Sequence, residues 1–163
     1  METAKKECTQ HGLVVSCIDK RLTDDVINFV TGEFDMQDCF YQFMLAGCAL
    51  GADVNHEWDK SLFDHIGIVL ELLHGDKKKL DRIILIEHRD CGAYKKYLGK
   101  YGNFDQHNPA EQERELVTHT QYVLKLADKI ELWCKSQQLH YIPVISCFLM
   151  GLDPKENPRQ ILR

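Results

Sequence analysis

The hydrophobic positions fall into short continuous runs separated by longer stretches of helical spacing. Gly12 to Ile18 (GLVVSCI) and Ile83 to Ile86 (IILI) lack the in–out alternation of a half-exposed strand, and predict strands buried on both faces. Cys39 to Ala46 (CFYQFMLA) and Tyr141 to Leu149 (YIPVISCFL) predict two more, the former followed by a loop through Gly47, Gly51 and Asp53. Between strands, Leu22 to Phe34 is spaced as a helix through Val26, Ile27, Phe29 and Val30, with Thr23 or Asp24 as its cap. Ser61 opens another, with Leu62, Ile66, Val69, Leu70 and Leu73 as its core face and Gly75 at its end. A short helix begins at Ala93 and stops near Gly99.

Asn108-Pro109-Ala110-Glu111 supplies a cap, a proline at the first helical position and an acid in the first turn. The helix it starts runs to about Gln137, with Leu116, His119, Val123, Leu126, Ile130 and Trp133 on one stripe that packs on a sheet. Asp153 to Arg163 reads as a tail. Strands alternating with helices predict one α/β domain over residues 1–163: a mostly parallel sheet of four to five strands, flanked by helices and joined by right-handed crossovers.

Charge and cysteine usage narrow the function classes. The net charge of −5 argues against the basic face that nucleic-acid binding needs. Lys77-Lys78-Lys79 lies between Asp76 and Asp81 and reads as a solvated loop. No apolar run approaches the ~20 residues of a membrane span, and the N-terminal METAKKECTQHG has no apolar signal core. The expectation is a cytoplasmic protein. Its seven cysteines, odd in number and scattered, then point to free thiols and metal ligands rather than a disulfide framework.

Open parallel sheets place ligands beyond the carboxyl ends of their strands. Two such ends carry chemistry: Cys17-x-Asp19-x-Arg21 after the first strand and His88-x-x-Cys91 after the third. Thiolates and imidazole are zinc ligands, and a catalytic zinc site supplies three and leaves one position open. Cys17, His88 and Cys91 make such a set, with Cys91 at a helix start, where free amides favour a thiolate. Arg21 beside Asp19 keeps that carboxyl ionised. Asp19 then either closes the fourth zinc position or accepts a hydrogen bond from zinc-bound water, whose pKa such metals lower to about 7.

The pairing of CIDKR, Cys17 to Arg21, with HRDCGA, His88 to Ala93, resembles the β-class carbonic anhydrases. The resemblance covers Val14 to Tyr97, with Asp38-Cys39-Phe40 through Ala46-Gly47 and the Ser61-Leu62 helix start at matching places. It implies a zinc-dependent carbonate dehydratase that hydrates carbon dioxide to bicarbonate by a zinc-bound hydroxide. Cys17, His88 and Cys91 would be the ligands and Asp19–Arg21 the orienting dyad. It also implies a homodimer or dimer of dimers with the cleft at the dimer interface. The chain departs from the family at Lys20, where serine is usual, and at Phe43 and Met44, where arginine and asparagine are frequent. Val30 stands near the position of a bicarbonate-binding glutamine. These changes leave two alternatives: a zinc-binding paralogue with weak or no carbon dioxide activity, or a hydrolase of carbonyl sulfide or carbon disulfide.

Nucleophilic cysteine chemistry is disfavoured, because Cys17 and Arg21 are too close for a loop of amides to encircle an anion. No glycine-rich nucleotide motif occurs. The remaining histidines, His11, His56, His65, His74, His107, His119 and His140, are not spaced as a second metal site, and their default roles are surface or core. Cys39, Cys48, Cys134 and Cys147 read as small core residues, and Asp90 as a helix cap or a partner of His88.

Overall fold

The computed structural model describes residues 7–153 and 155–162. Five strands, β1 (Gly12–Cys17), β2 (Phe40–Leu45), β3 (Arg82–His88), β4 (Val144–Met150) and β5 (Arg159–Ile161), form a sheet in the order β2-β1-β3-β4-β5. The first four are parallel, and β5 runs antiparallel to β4. Among the described residues five α-helices accompany them: α1 (Thr23–Glu33), α2 (Cys48–Val54), α3 (His56–Gly75), α4 (Gly92–Leu98) and α5 (Pro109–Ser136). The chain is thus an α/β protein with a five-stranded, mostly parallel sheet flanked by helices. Among the described residues no helix is long and apolar enough to cross a membrane.

The continuous apolar runs are explained by cover on both faces. Leu13, Val15, Ile83, Leu85, Cys147 and Leu149 pack with Leu62, Ile66 and Val69 of α3 and Val123, Leu126 and Ile130 of α5. The alternate residues Val14, Ile84, Ile86, Phe148 and Met150 face Val26 and Val30 of α1. Each of Ile83 to Ile86 is at most 1% exposed, and burying such a side chain fully contributes about 1.5–3 kcal/mol. The predicted stripe on α5 is the buried one, apart from Trp133 at its end, which is half-buried.

Asn108 caps α5 as expected, its side chain accepting from the Ala110 amide at 3.0 Å. Several boundaries differ. The Gly47-to-Asp53 loop is largely helix α2. The next helix starts at His56 rather than Ser61, because the Asn55 side chain accepts from the amides of Glu57 and Trp58 at 3.0 and 3.2 Å. Neither Thr23 nor Asp24 caps α1, whose cap position is Leu22 without a side-chain bond. The supposed tail contributes β5, which covers the β4 edge. Cys8 and Cys39 are joined in a disulfide with Cα atoms 5.5 Å apart, against the expectation of free thiols at those two positions.

Candidate metal centre

The parallel register brings the two motifs together. Ser16 of β1 pairs with Ile86 of β3, so Cys17, one residue past Ser16, and His88, two past Ile86, both stand at the carboxyl edge of neighbouring strands. After His88 the chain turns through Arg89 and Asp90, and Cys91 stands at the cap position of α4 with an extended backbone. The Sγ atoms of Cys17 and Cys91 are 3.9 Å apart, close to the about 3.8 Å that two ~2.3 Å metal–sulfur bonds span at a tetrahedral ion. Ligand atoms from Cys17, His88 and Cys91 all lie within 4.8 Å of one another, and all three residues are buried. Among the described residues this is the one group of its kind.

His88 is oriented for ligation. Its Nδ1 donates to the Arg89 carbonyl at 2.8 Å, leaving Nε2 with a lone pair, buried and without a protein partner. A carbonyl on the far nitrogen is the usual way a metal-binding imidazole is fixed. The Gly47 amide donates to Cys17 Sγ at 3.3 Å. Gly47 has φ +83°, and a Cβ there would meet that of Ala93 at 2.8 Å, so the close approach of this turn to α4 requires glycine.

The two thiols act on each other. The contact from Cys91, with smaller contributions from His88 and the Gly47 amide, holds Cys17 well below the usual thiol range against the opposing effect of burial. The same contact and burial push Cys91 up. Burial lowers His88, but the neighbouring Cys17 sulfur outweighs it and the net shift is upward. One thiolate therefore forms readily at this point, and a divalent cation would stabilise the second.

Asp19 guards the opening. Its Oδ2 is 3.9 Å from His88 Nε2, and Arg21 grips both carboxylate oxygens, with Nε at 3.0 Å from Oδ1 and Nη2 at 2.7 Å from Oδ2. The Arg21 side-chain bonds draw the Asp19 pKa down to about 2 against partial burial. Arg21 also donates to the Asp90 carboxylate through Nη1 at 3.0 Å and to the Asp90 carbonyl through Nη2 at 3.1 Å. Asp90 further pairs with Lys95. The opening widens into a cleft of about 280 Å³ with mostly apolar walls, including Ile18, Ala46, Trp58, Ala93 and Tyr97.

The site residues expected from sequence, Cys17, Asp19, Arg21, His88 and Cys91, all converge here. Val30, Phe43 and Met44 do not line this cleft. Val30 lies in the α1 core, Phe43 of β2 packs near the His65 ring of α3, and Met44 is half exposed. Sequence reasoning missed the buried groups behind the site. Glu87 and Glu115 are at most 1% exposed. His119, expected in a core stripe, there donates from Nδ1 to Glu87 Oε2 at 2.7 Å. The available signal was Glu115 and His119, two polar residues one turn apart beside an apolar stripe.

Fold and site together define an α/β protein with a buried Cys–His–Cys group suited to a metal ion. The chain is 35% identical over 144 residues to an uncharacterized protein of Rickettsia bellii, an alignment covering 86% of this chain and 76% of that one. It is 32% identical over 143 residues to an uncharacterized protein of Rickettsia conorii, covering 86% and 67%. The chain belongs to the family of these rickettsial proteins. No family model matches it.

Proposed function

We propose that this protein is a zinc hydro-lyase of the β-carbonic anhydrase kind, converting carbon dioxide and water to bicarbonate and a proton. The observation that carries the reading is the meeting of Cys17, His88 and Cys91 beside a carboxylate held by a guanidinium. The buried, unpartnered Nε2 of His88 and the 3.9 Å sulfur separation fit a tetrahedral ion with three protein ligands. Bound there, zinc supplies Lewis acidity that makes water ionise at about neutral pH. Asp19, kept ionised by Arg21, accepts a hydrogen bond from the attacking water and turns its lone pair toward the cleft. Arg21 holds Asp19 from the side, and its bonds to Asp90 keep the guanidinium from following substrate. The apolar walls admit a small neutral molecule and hold bulk water back.

Those walls also support a second reading, hydrolysis of carbonyl sulfide or carbon disulfide, which are linear and less polar. A homodimer or dimer of dimers fits two exposed apolar side chains, Ile18 at the opening with 60% and Met44 on the edge strand β2 with 50% exposure. Sedimentation analysis reads that assembly.

The deciding experiment is metal analysis of the purified protein followed by stopped-flow hydration. The expected result is one zinc per chain and hydration above the buffer rate, lost in Asp19→Asn. Stoichiometric zinc with no hydration, but with turnover of carbonyl sulfide, selects the second reading. Zinc with neither activity leaves a metal-binding protein and overturns both.

A further inference from the structure

We propose that Glu115 and His119 of α5 are positioning residues that hold residues 87–91 in the shape that ligates metal, an inference that rests on the metal-centre reading above. The loop contributes two of the three ligands, and each is preceded by a residue tied to α5. Glu87, before His88, accepts from His119 Nδ1 at 2.7 Å through Oε2 and from the Ala49 amide at 2.8 Å through Oε1. Asp90, before Cys91, donates its backbone N–H to Glu115 Oε1 at 2.7 Å. Glu115 Oε2 accepts from Arg89 Nη1 at 3.0 Å, and Gln106 Nε2 donates to both oxygens at 3.1 Å. The two α5 side chains are one helical turn apart on the face turned toward this loop, and both are fully buried.

Two features separate this arrangement from ordinary core packing. Asp90 has φ +55°, a left-handed conformation that a non-glycine residue keeps only where its surroundings over-determine it. Here Glu115 fixes its amide from inside and Arg21 its carbonyl and carboxylate from outside. Secondly, a buried carboxyl is unfavourable unless fully bonded, and apolar residues of equal volume often serve stability as well or better. Two buried carboxyls, Glu87 and Glu115, tie this loop to α5, whereas the α5 ion pairs Lys125–Asp53 and Lys129–Asp59 have lysines more than half exposed. Leucine at 115 would fill the space and leave the Asp90 N–H and the Arg89 side chain without these acceptors. The Asp90–Cys91 end of the loop would then be held by the outer bonds from Arg21 without an inner counterpart.

The test uses the full chain and Co(II), with affinity measured by chelator competition and geometry by the sulfur-to-cobalt charge-transfer band. Glu115→Ala and His119→Ala are each expected to raise the Co(II) Kd by about 10- to 100-fold and to weaken that band. Ile130→Ala removes an equally buried α5 side chain fifteen residues beyond Glu115, roughly 22 Å along the axis. It is expected to lower the unfolding midpoint while leaving Kd and band unchanged. Glu115→Gln keeps an acceptor for Asp90 and loses the one for Arg89, so a rise of about 3- to 10-fold is expected; it carries the test if Glu115→Ala does not fold. Variants that bind Co(II) as tightly as the wild type, with the same band, overturn the inference and leave the metal reading standing. A wild-type chain that takes up no Co(II) overturns both.

Discussion

Asp90 is gripped from two sides, and the grips differ in kind. Outward, its carboxylate and carbonyl take hydrogen bonds from Arg21, whose side chain is 43% exposed. Inward, its amide donates to Glu115, whose side chain is 0% exposed and also pairs with Arg89. A solvated ion pair contributes up to about 1 kcal/mol, because water and salt screen it. Removing one partner of a buried pair costs about 3–5 kcal/mol, because the other is stranded. The outer grip can therefore serve chemistry, since altering it leaves the fold nearly untouched. The inner grip is bound up with the fold, and the proposed metal site is reached by it only through the loop.

The largest loss is expected on the buried side of the loop, at Glu87. Glu87→Ala strands the His119 Nδ1 proton and the Ala49 amide, and is expected to destabilise by about 3–5 kcal/mol, a fall in Tm of roughly 10 °C. Urea or thermal unfolding measures it, with Lys125→Ala on the exposed face of α5 as the reference of near-zero effect. Equal losses in the two variants would erase the inner–outer distinction. Next in size is loss of a ligand: Cys91→Ala is expected to weaken zinc more than about 100-fold, beyond what outer partners cost, as read by chelator competition. Smaller again is Gly47→Ala, which must hold φ +83° and push Ala93 away. About 1–2 kcal/mol is expected from the left-handed backbone alone, together with weaker metal binding as the bond from the Gly47 amide to Cys17 lengthens.

The two sides also differ in how far the sequence reveals them. Cys17-x-Asp19-x-Arg21 and His88-x-x-Cys91 are local spacings at the ends of apolar runs, so strand register alone unites them. Glu87 and His119 are 32 residues apart and Asp90 and Glu115 are 25 apart; nothing local marks such pairings. The same division holds for the fold. Asn108-Pro109 announced α5, and IILI announced β3, because cap chemistry and burial are written in adjacent residues. Helix α2 was hidden by Gly51, which breaks nothing: a Cβ there would lie 2.2 Å from the Ala46 carbonyl oxygen, so glycine answers to packing. Strand β5 is three residues long and exists because β4 offers an edge. Cys8 and Cys39 pair across 31 residues, a contact that scattered cysteines do not disclose.

The smallest effect on stability belongs to Asp19→Asn. Arg21 holds the Asp19 carboxyl at about 2, below the about 3.9 expected for the unfolded chain. A depressed carboxylate stabilises the folded state in full above the unfolded value, and that contribution is lost as pH falls through the folded one. The Tm difference between wild type and Asp19→Asn should therefore be constant from neutral pH down to about pH 4, then close toward pH 2. Arg21 is 43% exposed and keeps Asp90 as a second partner, so the constant difference should stay within about 1 kcal/mol. The proposed hydration of carbon dioxide should nevertheless disappear, since the carboxylate proposed to orient the attacking water is gone. A variant that loses activity while keeping its stability assigns Asp19 to the reacting side of the loop. One that loses stability on the scale of Glu87→Ala would show the outer grip to be as structural as the inner.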